Sequence, residues 1–284
     1  MKISVITVCR NAEKTIEETL LSALNQTYKN IQYIVIDGAS TDNTLQVVNK
    51  YRDKIDVLIS EPDKGVYNAM NKAIDHVTGD IVYLLNANDL IYDEFMFERM
   101  ANLFKETDVD FVFGDCLFMT ESREKDQTYS CNRFKYKAAF CRFNMCQQSV
   151  FYKADLFKKY GKHDESFKVY ADYELNARFL VKHDAKMIYL PMIISKFELG
   201  GLSSSKEKEL NKLYVKEMKQ IRRRYFKTDF TYSVNQVDTV LKKYLGSPYK
   251  KALSVFKLDG VIEKLKGEKL NIVEYDKSLL KINK

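Results

Sequence analysis

Between Ile3 and Phe104 a short apolar run, a polar turn and a stretch of helical periodicity follow one another four times. The runs occupy residues 3–8, 33–36, 57–60 and 81–85. They are short and rich in β-branched and aromatic residues, as strands buried on both faces are. Between them Ile16, Leu20, Ala23 and Leu24 share one helical face, as do Leu45, Val47, Val48 and Tyr51, and then Tyr67, Met70, Ile74 and Val77. Thr15, with Glu18 three residues on, reads as a capping box for the first helix. Strands alternating with helices over short connections predict an α/β fold with a mainly parallel, Rossmann-like sheet flanked by helices. Right-handed crossovers put the carboxyl ends of the strands on one edge, where open α/β sheets bind ligands. Residues 7–11, 37–42, 63–65 and 86–89 are therefore expected to converge on one rim.

Further along the pattern loosens. Residues 95–104 read as a helix, 111–113 and 149–152 as strands and 154–160 as a helix. A helix begins at residues 170–175 and continues through Ala177, Phe179 and Leu180, and residues 187–190 form a last strand. Residues 119–145 match no period. From Lys206 onward the chain reads as helices, with Leu210, Tyr214, Met218, Ile221 and Tyr225 in one stripe beside Arg222, Arg223 and Arg224. The expected division is an α/β domain over 1–204, with halves at 1–90 and 91–204, and a helical C-terminal appendage over 205–284.

That appendage holds the basic charge. Residues 205–284 carry 20 Lys and Arg against 10 Asp and Glu; with +7 overall, the rest of the chain stands at −3. One-sided charge of this kind suits an anionic partner surface. Two readings follow: peripheral membrane contact with anionic lipid through Arg222–Arg224 and nearby lysines, or a helical appendage that packs on the core or forms a homodimer. No recognised nucleic-acid module accompanies the charge. The five cysteines are odd in number and contain no CxxC pair, so they read as reduced thiols. The start of the chain reads as a strand rather than a signal peptide, and no apolar run nears the roughly 20 residues of a membrane span. A cytoplasmic protein, peripheral at most on the inner face of the cell membrane, is expected.

The rim residues each carry two readings. Asp37 ends a strand and suits either a base N–H or the turn at Gly38. Asp42 reads as an N-cap. Lys64, at a helix start, suits phosphate or solvent. Asn68 and Asn71 are poor helix formers that call for a reason. Asp89, preceded by Asn86 and Asn88, suits an ordinary turn or a Mg²⁺ or Mn²⁺ corner completed by substrate phosphates. Asp172 suits a general base or an ordinary acidic first turn.

Seven stretches change the balance: Ser4-Val5-Ile6-Thr7-Val8-Cys9-Arg10-Asn11, Asp37-Gly38-Ala39-Ser40-Thr41-Asp42-Asn43-Thr44, Glu61-Pro62-Asp63-Lys64-Gly65-Val66-Tyr67-Asn68-Ala69-Met70-Asn71-Lys72, Thr78-Gly79-Asp80, Leu85-Asn86-Ala87-Asn88-Asp89, Ala171-Asp172-Tyr173-Glu174-Leu175 and Gly200-Gly201-Leu202-Ser203. In order and spacing they resemble the inverting, GT-A-fold glycosyltransferases of family 2 across residues 1–204. The resemblance implies that Thr7, Val8 and Asn11 wrap a nucleoside and that Asp37 reads uracil. Lys64 and Asn71 would line the diphosphate and sugar, Asn88 would stand on the donor side, Asp89 would hold Mn²⁺ or Mg²⁺, and Asp172 would be the catalytic base. Residues 200–203 would form a mobile loop near the acceptor. Two departures stand out. Asn86-Ala87-Asn88-Asp89 keeps one carboxylate where the family often has Asp-x-Asp-Asp, and Asp37-Gly38-Ala39-Ser40 keeps only the first aspartate of Asp-Asp-Gly-Ser.

The implied activity is transfer of a sugar from a UDP-sugar, or another nucleotide-diphosphate sugar, to a hydroxyl of a sugar or lipid-linked sugar acceptor, in surface-polysaccharide assembly. A sugar-nucleotide-binding protein without catalysis is an alternative raised by Asn86 and Asn88. A nucleotidyltransferase is another, against which stands the absence of glycine from residues 7–12.

Overall fold

The computed structural model describes residues 1–119, 126–135, 137–141, 143–198, 208–227, 270–273 and 277–280. One nine-stranded mixed sheet organises them. Its strands are β1 (Ile3–Cys9), β2 (Ile31–Asp37), β3 (Val57–Ser60), β4 (Ile81–Leu84), β5 (Leu90–Ile91), β6 (Phe111–Met119), β7 (Gln127–Tyr129), β8 (Val150–Lys153) and β9 (Met187–Glu198). They lie in the order β3-β2-β1-β4-β8-β6-β9-β5, with β7 paired to β6. Strands β1 to β4 are mutually parallel; β8 joins antiparallel to β4 and β6, and β9 runs parallel to β6.

The helices are α1 (Ile16–Leu24), α2 (Thr44–Asn49), α3 (Val66–Asp75), α4 (Met96–Glu106), α5 (Lys137–Phe140), α6 (Asp155–Tyr160), α7 (Ala171–Ala177) and α8 (Lys208–Phe226). Alternation along the strands sends side chains to two cores. Ile6, Val8, Ile34, Ile36, Val82 and Leu84 pack with Ala69, Met70 and Ala73 of α3. Ile3, Val5, Tyr33, Val35, Ile81 and Tyr83 pack with Ile16 and Leu20 of α1 and with Met96, Phe97 and Met100 of α4. Each such apolar side chain withdrawn from water is worth about 1.5–3 kcal/mol, so a one-residue slip would exchange the two cores wholesale.

Several elements differ from expectation for physical reasons. β1 runs to Cys9, which places Thr7 and Val8 in a buried strand rather than a loop. Thr15 makes no side-chain cap on α1; its hydroxyl donates instead to Asn88 Oδ1 at 2.6 Å, so the capping box is replaced by a tertiary bond. The last strand extends to Glu198 through Pro191. Register shifts against β6 at Gly114 to Cys116 absorb the missing proline N–H. The helix after α7 widens into a π turn over Arg178–Lys182.

Helix α8 is built onto the domain. Ile221 and Phe226 are buried in the same core as Ile6 and Met70, and the Phe226 ring meets Phe140 edge-on. Arg222 is 4% exposed, and its Nε donates to the Cys141 carbonyl at 2.8 Å. Arg224 pairs with Asp164 and Glu174 and lies over the Phe167 ring. Of the three arginines named for a lipid contact, Arg222 is taken up by the protein interior, whereas Arg224, although paired, keeps its side chain 41% exposed. Residues 270–273 also join the sheet, the Met187 N–H donating to the Asn271 carbonyl at 2.7 Å. No helix among the described residues is long and apolar enough to cross a membrane. The Gly200–Gly201 loop lies outside the described residues.

Candidate functional site

The carboxyl ends of β1, β2 and β3 meet as the parallel topology requires. Asp37, the last residue of β2, is fully buried. Its Oδ2 accepts the Ser40 backbone N–H at 3.0 Å and the Ser60 hydroxyl at 2.7 Å, and its Oδ1 accepts the Ser40 hydroxyl. Burial and the Asp37 carboxylate together hold the neighbouring Cys9 thiol well above its ordinary range. Asn11 and Ala39 take the left-handed conformation, with φ of 50° and 54°. Asn11 accepts the Thr41 N–H at 2.9 Å and donates its own N–H to Ser40 Oγ at 2.8 Å. A Cβ on Gly38 would meet Asp63 Oδ2 at 2.2 Å, so a side chain there would push the Asp63 carboxylate aside where the third loop closes over the second. The rim thus holds Asn11, Asp37 and Asp63 together. The side chains of Thr7 and Val8 turn away from it: Thr7 is buried with its hydroxyl 3.0 Å from that of Tyr33, and Val8 is a core side chain.

The fourth loop joins the rim through the Ala87 N–H on the Val8 carbonyl. Asp89 there is 3% exposed. Its Oδ2 accepts Gln148 Nε2 at 2.6 Å and its Oδ1 accepts the Glu198 N–H at 3.3 Å. Burial first, and then nearby Cys116, push this carboxyl well above its ordinary range. Exposed Asn88, at φ 98°, turns its amide oxygen to Thr15. The corner offers one buried carboxylate, each of whose oxygens accepts one hydrogen bond, and among the described residues no three His, Cys, Asp or Glu side chains cluster to hold a metal, so a divalent cation here would depend on substrate phosphates for the rest of its shell.

Helix α3 crosses from this rim toward the second half. Gly65, at φ 124°, opens it, with its N–H on Asp63 Oδ1. Lys64 is exposed at that end. The two asparagines have a structural reason. Asn68 donates to Glu165 Oε2 at 3.0 Å; Asn71 donates to Glu165 Oε1 at 2.8 Å and to the His163 carbonyl, and accepts the His163 N–H. Both amide groups of Asn71 are therefore committed to the 163–165 segment. The amides of Asn71 and Asn68 hold Glu165 below the usual carboxylate range.

Tyr67 of α3 brings the two halves together at Asp172. Its hydroxyl lies 2.6 Å from the Val169 carbonyl and 3.2 Å from Asp172 Oδ1. Asn144 Nδ2 donates to Asp172 Oδ2 at 2.6 Å. Burial pushes the Asp172 carboxyl up to about 6, against the pull of the Tyr173 N–H, Asn144 and Tyr67. A partly buried carboxylate that titrates near neutrality is equipped to take a proton from a hydroxyl.

Tyr67, Asn144, Gln148, Glu165 and Glu217 shape this site and were not singled out as site residues from the sequence. Tyr67 carries a signal, its place inside the 61–72 stretch of family resemblance, but it also fits the apolar stripe of its helix. Asn144 falls in the stretch without a period, and the others carried no local signal.

The family model described as glycosyl transferase family 2 matches residues 4–164. A PGL/p-HBAD biosynthesis glycosyltransferase of Mycobacterium tuberculosis is 28% identical over 207 residues, 71% of this chain and 79% of that protein. Among solved structures, S. aureus TarS superposes with a TM-score of 0.62 at 20% identity over 92% of this chain, which spans 50% of the TarS chain. TarS 1-349 in complex with UDP-GlcNAc gives 0.61 at 18% identity, over 92% and 84% of the two chains. The mannosyltransferase PcManGT of Pyrobaculum calidifontis, in complex with GDP-Man and Mn²⁺, gives 0.54 at 17% identity, over 92% and 86%.

Proposed function

The chain belongs to glycosyl transferase family 2 and has the GT-A fold, and from that premise we propose that it moves a sugar from a nucleotide-diphosphate sugar to an acceptor hydroxyl with inversion at the anomeric carbon. UDP is the nucleotide proposed. The TarS complex with UDP-GlcNAc supports it, and the PcManGT complex with GDP-Man names the competitor. The mycobacterial relative, named for PGL/p-HBAD biosynthesis, supports a place in glycan assembly, for which we propose a sugar or lipid-linked sugar acceptor.

In the proposed reaction Asp172 takes the acceptor hydroxyl's proton. The oxygen's electron pair forms the new bond to the anomeric carbon as the bond to the diphosphate breaks on the opposite face, and the nucleoside diphosphate leaves with the electron pair of the broken bond. In this proposal Asp37, Ser40 and Asn11 would line the nucleoside and Lys64, exposed at the start of α3, would meet the diphosphate. No step is assigned to a metal. The observation that carries the reading is the Asp172 carboxyl, tuned to about 6 and reached from the nucleotide-side half by Tyr67.

A thermal-shift and turnover screen of UDP-, GDP- and dTDP-sugars, with proton NMR of the product's anomeric configuration, tests it. A UDP-sugar that stabilises the protein and yields an inverted product is expected; retention of configuration would overturn the single-displacement scheme. The closed Asp89 corner favours a second reading, a binding protein without catalysis. UDP-sugar binding with no turnover over a broad acceptor panel would select it.

A further inference from the structure

We infer that Tyr67 and Asn144 are positioning residues that set the pH at which Asp172 becomes an ionised base, each donating a hydrogen bond to a different oxygen of its carboxylate. The inference rests on the proposed base role for its meaning in catalysis, but its physical content is a property of the protein alone.

The two donors come from separate parts of the chain. Tyr67 lies on α3 and Asn144 in the segment before β8, so two donors from elsewhere in the chain join the Tyr173 N–H of its own helix on the carboxylate. They are also different kinds of donor. Asn144 Nδ2 can only donate, so it favours the ionised form. Its own Oδ1 is buried without a partner among the described residues, which leaves the amide one productive role, the bond to Asp172. Tyr67 carries a single hydroxyl proton and two acceptors, Val169 O and Asp172 Oδ1. With Asp172 ionised, that proton serves the carboxylate. Once Asp172 has taken the acceptor's proton, its new O–H donates to the Tyr67 oxygen and the Tyr67 proton turns to the Val169 carbonyl. As a donor the hydroxyl favours the ionised carboxylate, and the contact reverses on protonation without moving a heavy atom. The Tyr67 ring is held for this by stacking on His163, with centroids 5.3 Å apart.

The surrounding titratable groups stay silent. Tyr67 on α3, Tyr152 on β8 and Tyr170 at the head of α7 face Asp172, and burial raises all three, so each remains protonated through the working range. Glu217 of α8 stands behind them, on the Val169 and Tyr170 N–H groups. His163 is pulled down to about 3 by burial and is neutral there. Near pH 6 the group that titrates at this position is Asp172.

The test follows the Asp172 carboxyl by ¹³C NMR in aspartate-labelled protein, assigned with Asp172→Asn, alongside the acid limb of the kcat/KM profile. Tyr67→Phe keeps the stacked ring and removes the hydroxyl; Asn144→Ala removes the other donor, and Asn144→Ser offers a smaller donor back. Each loss is expected to raise both the NMR titration and the acid limb by about one unit, with the high-pH plateau kept within about tenfold and Asn144→Ser recovering part of the shift. Folded variants that titrate where the wild type does, or that lose activity equally at every pH, would overturn the inference. Should Asn144→Ala not fold, the near-isosteric Tyr67→Phe decides alone. Full activity in Asp172→Asn would remove the proposed base while leaving the NMR result to stand or fall by itself.

Discussion

Glu217 of α8 accepts the backbone N–H of Tyr170 at 2.9 Å, two residues before Asp172. The same carboxylate takes the N–H groups of Lys168 at 2.6 Å and Val169 at 3.0 Å. It is 3% exposed, and these bonds satisfy three successive N–H groups of the segment that leads into α7, the last of them on its N-cap residue. The chain beyond the family-matched region thus braces the segment that carries the proposed base.

Glu217→Ala should therefore cost about 3 kcal/mol of stability, since it orphans three N–H groups at a buried site. Transfer activity should fall with it. Denaturant unfolding and turnover on the same preparation check this; a change below about 0.5 kcal/mol with full activity would show that the brace is idle.

Asp172 should weaken the fold in return for its function. Its folded pKa of about 6 lies above the ordinary 3.8, so the folded state holds the proton more tightly than the unfolded chain does. Its contribution is present in full below pH 4 and is lost as pH rises through 6. Asp172→Asn lacks this loss. Its stability relative to wild type should rise between pH 4 and 6 by up to about 3 kcal/mol and level off above. Melting curves across pH 4–8 read the difference; a gap that does not change with pH would contradict the assignment.

The Asp89 corner should be a poor metal site until a second carboxylate is supplied. Without a nucleotide sugar, Mn²⁺ at about 1 mM should leave the melting temperature of the wild type unchanged. Asn88→Asp, whose new carboxylate adjoins Asp89, should gain a Mn²⁺-dependent shift. A clear shift in the wild type that Asp89→Asn abolishes would show that Gln148 and Glu198 release Asp89 to a metal.

Arg222 should matter for stability rather than for lipid. Arg222→Ala removes the bond to the Cys141 carbonyl and a buried side chain, at a cost of about 2 kcal/mol. Sedimentation with vesicles rich in phosphatidylserine should be unchanged. Lost vesicle binding at unchanged stability would return Arg222 to a membrane surface.

These outcomes turn on contacts that differ in how far the sequence foretells them. β1 to β4 are legible because both their faces are buried, so each is a plain apolar run closed by polar residues. The convergence of Asn11, Asp37 and Asp63 then follows from topology alone. Local chemistry misleads where a distant partner competes. Thr15 leaves its cap for Asn88, 73 residues away, and Asp89 is closed by Gln148, 59 residues away. Thr7 suits strand and loop alike, and the register with Val35 decides for the strand. Charge patterning shows that the C-terminal segment is basic, but not that Arg222 points inward or that Glu217 braces the segment leading into α7. Those facts exist only once α8 has docked. Asp172 was legible as a candidate by resemblance, whereas its two hydrogen-bond donors come from α3 and from a stretch with no period to read.

The central claim is that Asp172 performs the proton transfer of a glycosyl transfer. The direct measurement is the turnover of the UDP-sugar and acceptor pair found by screening, compared between wild type and an Asp172→Asn protein of equal or higher melting temperature. A drop in kcat of about 10²- to 10⁴-fold, with donor binding retained, is expected. A folded Asp172→Asn protein that turns over at the wild-type rate would contradict it.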